Sequence, residues 1–484
     1  MSSTPYKPSA RETAFLEAVE DPRYQRESVN GLKPFFADRV ADDIKGFYTA
    51  EELAALQALQ GTERDVEARM PVKMTRHYFE LAKKSLPIQR LVKASPDETE
   101  SLAGTEDPGH QMDYSPVEGM LHKYEMGLLY VISTCSAHCR FCYREELISR
   151  KEIERHDGTV AKKGLAQIAD VVGYIAEHNA AVEANGGRHP ETGREKLREI
   201  LLSGGDPMVL TNSKLAAWLG ALAEAGVEAI RIGTKEMAFF PQRFDEAFLA
   251  MLDAFHETWP HVGLRLMVHF NHPDELLYKD ENGDYVQLEN GALKWIPATW
   301  SAMEGITKRG WVAVENQAPI IKGINDDPDA LRILQRAFKR VGGNNHYFFC
   351  GRDIVAYEAF NVPMETAWQI LNDSQKGLSG VENHARLSVT HYKGKTEVAA
   401  VTDQPIPGLA GSENGVVIFK LLRNPADAPD RGKICIVGRN PEAIWFDDYA
   451  DRVLLDDAGL FGYERTYHHE SVQTAREGAE APAS

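Results

Sequence analysis

From about residue 127 onward the chain alternates short apolar runs with amphipathic stretches, and that rhythm leaves few folds open. "GLLYVIS", "REILLSG", "EAIRIGT", "VGLRLMVHF", "WVAVENQ" and "HYFFC" have the length and side chains of strands. Between them, "GLAQIADVVGYIAEH", "NSKLAAWLGALAEAG", "DEAFLAMLDAFH" and "DPDALRILQRAFKRVG" carry apolar residues at helical spacing. Strands joined by helical crossovers pair in parallel, and the helices cover the sheet. The pattern predicts an α/β fold built on a partial (β/α)6 barrel of TIM-like type. In such a fold, functional groups sit where strands end and loops begin.

The flanks differ from this middle part. The first hundred or so residues read as helical. "TAEELAALQALQ" opens with Thr49 as N-cap and Glu52 three positions on, and "TRHYFELAKKSLPIQRLVKA" keeps helical spacing to Pro87. "SPDETESLAGTEDPGHQMDYSP" is polar and turn-rich, a linking loop. "AAVEANGGRHPETGREK" and "YKDENGDYVQLENGALKWIP" interrupt the rhythm as surface insertions, the second a small hairpin around its Asn-Gly pairs. "GVVIFKLLRNPADAPDRGKICIVGR" reads as mostly β, and "SVQTAREGAEAPAS" has too little apolar content to order. The expected organisation is an N-terminal helical lobe over 1–114, the βα barrel over 115–360, a C-terminal region with a mostly β extension over 361–468, and a disordered tail over 469–484.

Composition excludes several classes of function. A net charge of −18 without a dense Lys/Arg stripe argues against nucleic acid as a main partner. No apolar run reaches the length of a membrane span, and the N-terminus lacks the apolar core of a secretory signal. Five cysteines in 484 residues make no disulfide framework, so a reducing cytoplasm is expected.

Three of those cysteines crowd into "TCSAHCRFCYR", directly after the first strand. A disulfide needs two thiols and a structural zinc site four ligands. His138 is a fourth donor within the motif, but no second Cys or His pair follows at finger spacing. Cys135, Cys139 and Cys142 can hold three irons of a [4Fe–4S] cluster, leaving the fourth iron open to a small molecule. In "LLSGGDPMVL", Ser203, Gly204, Gly205 and Asp206 stand at the end of the next strand. There glycines permit close backbone approach, and Asp206 offers a partner to an ammonium.

With Phe141 just before the third cysteine, this loop resembles that of the radical S-adenosylmethionine (SAM) superfamily, and Ser203–Asp206 matches its SAM-amine motif. "CRFCYREELIS", "LLSGGDPMVL", "IRIGTKEMAFFPQRF", "VHFNHPDEL", "VENQAPIIKGINDD" and "HYKGKTEV" occur in the order found in lysine 2,3-aminomutase and its relatives. Over roughly residues 115 to 400 the chain therefore resembles the lysine 2,3-aminomutase family.

The resemblance implies a radical SAM barrel and three cofactors: a [4Fe–4S] cluster, SAM and pyridoxal phosphate (PLP). It implies an amino-acid 2,3-aminomutase, an isomerase that moves the α-amino group to the β-carbon. By position, Cys135, Cys139 and Cys142 ligate the cluster, while Phe141, Ser203, Gly204, Gly205 and Asp206 belong to its SAM side. Lys395, in "YKGKT", falls at the PLP-bearing lysine, with Lys393 as a rival. Arg144 falls at the arginine for the substrate α-carboxylate, and Gln317 at a position in the cofactor pocket. Lys123 takes one of the phosphate-holding arginine positions, and Met126 or Gly127 takes another.

Arg352 and Ser388 align with the two aspartates that hold the ammonium of a lysine substrate, which implies an acidic or amide substrate such as glutamate. A one-residue slip would bring Asp353 there and restore an acid. Partners implied are an amino acid, an electron donor of flavodoxin or ferredoxin type, and further copies of the chain in a homo-oligomer. Two other readings stay open: an enzyme of this lineage without PLP, and a non-catalytic iron–sulfur or zinc scaffold.

Overall fold

The computed structural model describes residues 5–24, 28–30, 44, 46–145, 153–154, 160–161, 164–425 and 431–461. The tail expected to be disordered over 469–484 lies outside the described residues. All six predicted strands form: β1 (Gly127–Ile132), β2 (Glu199–Gly204), β3 (Ala229–Thr234), β4 (Gly263–Val268), β5 (Val312–Pro319) and β6 (Asn344–Phe349). A further strand, β7 (Arg386–His391), continues the parallel series. It turns at Tyr392–Lys393 into β8 (Gly394–Thr402), and β9 (Val416–Arg423), β10 (Ile434–Gly438) and β11 (Val453–Asp456) follow in antiparallel order. The expected β extension is thus present.

Strand order in the sheet follows chain order, with the short strand Met120–Leu121 outside β1. Helices Ile168–Ala184, Asn212–Glu224, Glu246–Thr258, Pro297–Thr307, Pro328–Arg340 and Met364–Gln375 make the crossovers. Right-handed crossovers between sequential strands put all these helices on one face. The sheet is not closed. After β7 the chain reverses in a tight turn instead of crossing over again, so the TIM-like barrel of the sequence reading is not seen as such. The second insertion folds back through antiparallel bridges at Leu277–Trp295, Lys279–Tyr285 and Gln287–Leu293, as its Asn-Gly pairs predicted.

Alternation along the strands separates two environments. Ile200, Leu202, Ile230, Ile232, Leu264 and Leu266 are fully buried or nearly so, and each such side chain contributes about 1.5–3 kcal/mol. Leu201, Ser203, Arg231, Gly233 and Met267 alternate with them and line a cavity on the opposite face.

Among the described residues, a separate N-terminal helical lobe is not seen. Ala10–Glu17, Ala50–Leu59, Arg76–Ala82 and Leu86–Val92 are helical but short, and helices of that length need tertiary packing to persist. Phe15, Leu56, Tyr78 and Leu91 join the same hydrophobic core as Ile200 and Leu264. Phe15 packs edge-on against Phe255 and Trp259.

Burial holds several histidines neutral, His122 and His77 among them outside the cavity. His122 accepts from or donates to the Tyr174 hydroxyl through Nδ1 at 2.7 Å, and burial pushes its pKa down to about 3. Burial likewise pushes His77 down to about 4. Both take up a proton on unfolding below their ordinary 6.5, so their stability is present above that pH and lost as pH falls. Glu67, raised by burial from 4.5 to about 7, acts in the opposite sense by keeping its proton in the fold. His138, His269, His346 and His391 are depressed by burial in the same way, so the histidines outweigh Glu67 and stability falls as pH drops below ~6.5. Urea unfolding across that range should show this acid lability, and His122→Asn should flatten it. An unchanged slope in the variant would reject the assignment.

Candidate functional site

The cysteine loop begins where β1 ends, and the N-terminal segment clamps it. Lys73 Nζ donates to Cys135 O at 2.6 Å, His138 N–H to Lys73 O at 2.9 Å, and Arg140 N–H to Leu91 O at 2.8 Å. The buried Arg140 guanidinium forks onto Glu98 with contacts of 2.8 and 3.1 Å and also donates to Met70 O. Losing one partner of such a buried pair costs about 3–5 kcal/mol. This N-terminal segment therefore serves to shape the thiol loop.

β2 closes on the same loop. Gly205 N–H donates to Ile132 O at 2.6 Å and Asp206 N–H to Thr134 O at 2.9 Å. A Cβ on Gly204, which has φ +116°, would sit 2.2 Å from Ile132 O, and one on Gly205 2.3 Å from Thr134 O. Only glycine lets the strand end approach so closely. Asp206 accepts from Met208 N–H (2.9 Å), Thr234 Oγ1 (2.8 and 3.0 Å) and Lys235 N–H (2.7 Å). Its carboxylate ties the ends of β2 and β3 together.

A cavity of about 330 Å3 opens on these groups. Cys135, Cys139, Cys142, Phe141, Ser203, Gly204, Gly205 and Asp206 line one end, and residues of β5 to β9, among them Gln317, Tyr347, Lys395 and Arg423, line the rest. Burial pushes the Cys139 thiol up to about 12 and Cys135 further, so metal bonding is what would hold them as thiolates. Among the described residues no three His, Cys, Asp or Glu side chains converge on a single ion. Three thiols, each able to bond its own iron, suit a [4Fe–4S] cluster.

Lys395 lies on β8 with its Cα opposite Thr390 of β7 and Arg423 of β9. Its Nζ stands 3.4 Å from the Tyr347 ring centroid and 4.9 Å from that of Phe349. Burial first, then Arg423, Arg231 and Arg352, press its pKa well below the usual lysine range. A neutral amine of this kind attacks carbonyls. Lys393 sits in the turn and does not line the cavity.

Arg144 donates through Nη1 to Gly204 O at 3.0 Å and through Nη2 to the Tyr143 hydroxyl, while its buried Nε has no hydrogen-bond partner among the described residues. Arg352 lies 4.4 Å above the Tyr143 ring and lines the cavity. Lys123 Nζ donates to Gly109 O (2.5 Å) and His391 O (2.9 Å), and burial pushes its pKa down to about 7. Two positions are not brought to the site. Ser388 is fully buried and donates to Thr396 O at 3.1 Å, and Asp353 is not in the cavity wall.

Sequence reasoning did not single out Arg231, Lys235 or Arg423, all of which line the cavity. Strand alternation carried the signal for Arg231. With them the wall holds seven Lys and Arg side chains and one carboxylate, Asp206. Lys235 pairs with Glu275, Arg231 with Glu199 and Arg423 with Glu125. Lys123, Arg144, Arg352 and Lys395 have no carboxylate partner among the described residues.

The chain matches no protein-family model. It is 32% identical over 379 residues to a provisionally named L-lysine 2,3-aminomutase of Aquifex aeolicus (strain VF5), covering 78% of this chain and 86% of that protein. It is 27% identical over 277 residues to the L-lysine 2,3-aminomutase of Acetoanaerobium sticklandii, covering 57% of this chain. With the glutamate 2,3-aminomutase of Clostridioides difficile (strain 630) it shares 25% over 287 residues, 59% of this chain. It spans 55% of the length of each of these last two.

Similarity to these 2,3-aminomutases places the protein among the radical SAM enzymes, and its three thiols at a strand end face a cation-rich cavity. Within them, the chain belongs to the lysine 2,3-aminomutase family, isomerases that use a [4Fe–4S] cluster, SAM and PLP. Its residues fit those groups: the thiols face open space, and Lys395 is a depressed amine between two aromatic rings.

Proposed function

We propose that this protein is an amino-acid 2,3-aminomutase for a substrate with an acidic or amide side chain, glutamate being the simplest case. The observation that carries this is the charge of the cavity wall: seven Lys and Arg side chains, four of them arginines, against one carboxylate, Asp206, whose oxygens already hold backbone and hydroxyl donors. The side-chain ammonium of lysine would find no anion there and would face guanidinium groups, a costly arrangement for a desolvated charge.

The bound cofactors supply hydrogen-atom abstraction and a π-system that accepts a migrating amine. Cys135, Cys139 and Cys142 hold the cluster, with reducing electrons from a donor of flavodoxin or ferredoxin type. Arg144 offers two donors to the substrate α-carboxylate, with its unpaired Nε as one of them. Arg352, steadied over Tyr143, faces the far end of the substrate. Lys395 presents its neutral amine to the PLP carbonyl, and Tyr347 and Phe349 keep water from it.

Anaerobic incubation with SAM, PLP, dithionite and a panel of amino acids, read by mass spectrometry, tests the reading. Glutamate or glutamine should yield its β-isomer. Borohydride reduction and peptide mapping should place a pyridoxyl mass on Lys395. Finding it on Lys393, or on no lysine, would reject the assignment in favour of a PLP-free enzyme of the same lineage.

A further inference from the structure

We infer that Arg423 and Arg231, with His346 beside them, form the phosphate-binding end of the PLP site. On this inference, the antiparallel extension supplies a cofactor anchor in place of arginines ahead of the cysteine loop. It rests on the reading that Lys395 holds PLP.

The need for such an anchor arises before the cysteine loop. Lys123 spends its amine on the carbonyls of Gly109 and His391, while Met126 and Gly127 carry no charge. A phosphate dianion taken out of water needs cations from elsewhere. Arg423 is opposite Lys395 in the β8–β9 ladder, so the two side chains share a face. Arg231 comes from β3, six strands away in sheet order. In a flat sheet that is about 29 Å. Both arginines nonetheless line the cavity that holds Lys395, because the sheet curls around it. Each also depresses the pKa of Lys395, as charges do only at close range.

The two guanidinium groups are held but not used up. Arg423 Nε contacts Glu125 Oε1 at 3.1 Å, and Arg231 Nη2 pairs with Glu199, whereas Arg231 Nε is buried without a hydrogen-bond partner among the described residues. Neither Glu125 nor Glu199 lies in the cavity wall. The wall's one carboxylate, Asp206, is tied to the cysteine end through Thr134 and Thr234. His346, pushed down to about 3 by burial and then by Lys395, Arg231 and Arg423, stays neutral and can still donate one N–H. Two forks and an imidazole, with no nearby cavity anion, make a seat for a phosphate.

The test compares PLP with pyridoxal, which lacks the phosphate, using the full chain under anaerobic conditions. Affinity is read from the absorbance of the bound carbonyl, and occupancy from borohydride trapping on Lys395. Wild type should prefer PLP, with inorganic phosphate competing. Arg423→Gln and Arg231→Gln should each weaken PLP by about 10- to 100-fold. Pyridoxal should be little affected, so the preference collapses, and phosphate should no longer compete. Arg423→Lys, which keeps the charge, should retain part of the preference. If wild type traps PLP on Lys395 and both Gln variants, folded by circular dichroism, keep the full preference, the phosphate assignment is overturned. If wild type traps neither compound on Lys395, the underlying PLP reading falls and takes this inference with it.

Discussion

Replacing any one of Cys135, Cys139 and Cys142 with alanine is expected to remove the cluster absorbance and reduce deoxyadenosine formation from SAM to background. Each thiol is the sole protein ligand to one iron in the arrangement proposed, so no partial site remains after a single loss. The loop itself should persist. Arg140–Glu98, the Lys73 contacts and the backbone bonds to Leu91 hold it without help from the sulfurs. Circular dichroism should therefore stay native while the brown colour is lost. Cys435, buried in β10 away from the cavity, serves as control: Cys435→Ala should keep the cluster. A loop variant that retains full deoxyadenosine yield would sink the assignment.

The second large effect concerns substrate charge. Arg352 lies in the cavity wall over Tyr143, with no carboxylate partner among the described residues. A substrate carboxylate or amide oxygen completes it. A lysine substrate leaves it uncompensated, at a cost of about 3–5 kcal/mol. That corresponds to a preference for glutamate of at least ~100-fold in kcat/KM. Arg352→Asp should move this ratio towards lysine, while Arg144→Gln should weaken both substrates because both present the same α-carboxylate. If wild type converts lysine better than glutamate, or if the ratio in Arg352→Asp does not move, Arg352 does not face the side chain.

Much of this was legible in the chain because it depends on near neighbours. The apolar runs of β1 to β6 announce themselves by length and composition, and the thiol spacing lies within eight positions. "RLSVTH", the stretch of β7, mixes Ser, Thr and His into a strand, and the Ser388 and His391 side chains find partners in β8 that the local pattern does not show. The N-terminal helices looked like a lobe because an amphipathic pattern says that one face is buried but not against what.

The substrate positions show the same limit. Sequence alignment puts Ser388 beside Arg352 in the site, yet on a strand a single step reverses the side chain, and Ser388 points to Thr396 in the core. The choice between Lys395 and Lys393 was open from the motif alone. Register on β8 puts Lys395 into the cavity and leaves Lys393 in the turn.

The sequence by itself determined the βα rhythm, the three thiols, the glycines after β2 and the candidate lysine, since each is a local pattern of spacing and residue type. Only the tertiary structure decided that the N-terminal segment clamps the thiol loop and that Asp206 ties β2 to β3. It also decided that Arg231 and Arg423 meet Lys395 in one wall. Read along its strand, either arginine looks like an ordinary outward residue. The curl of the sheet turns that face inward, and it does so through pairings between segments far apart in the chain that no local pattern encodes.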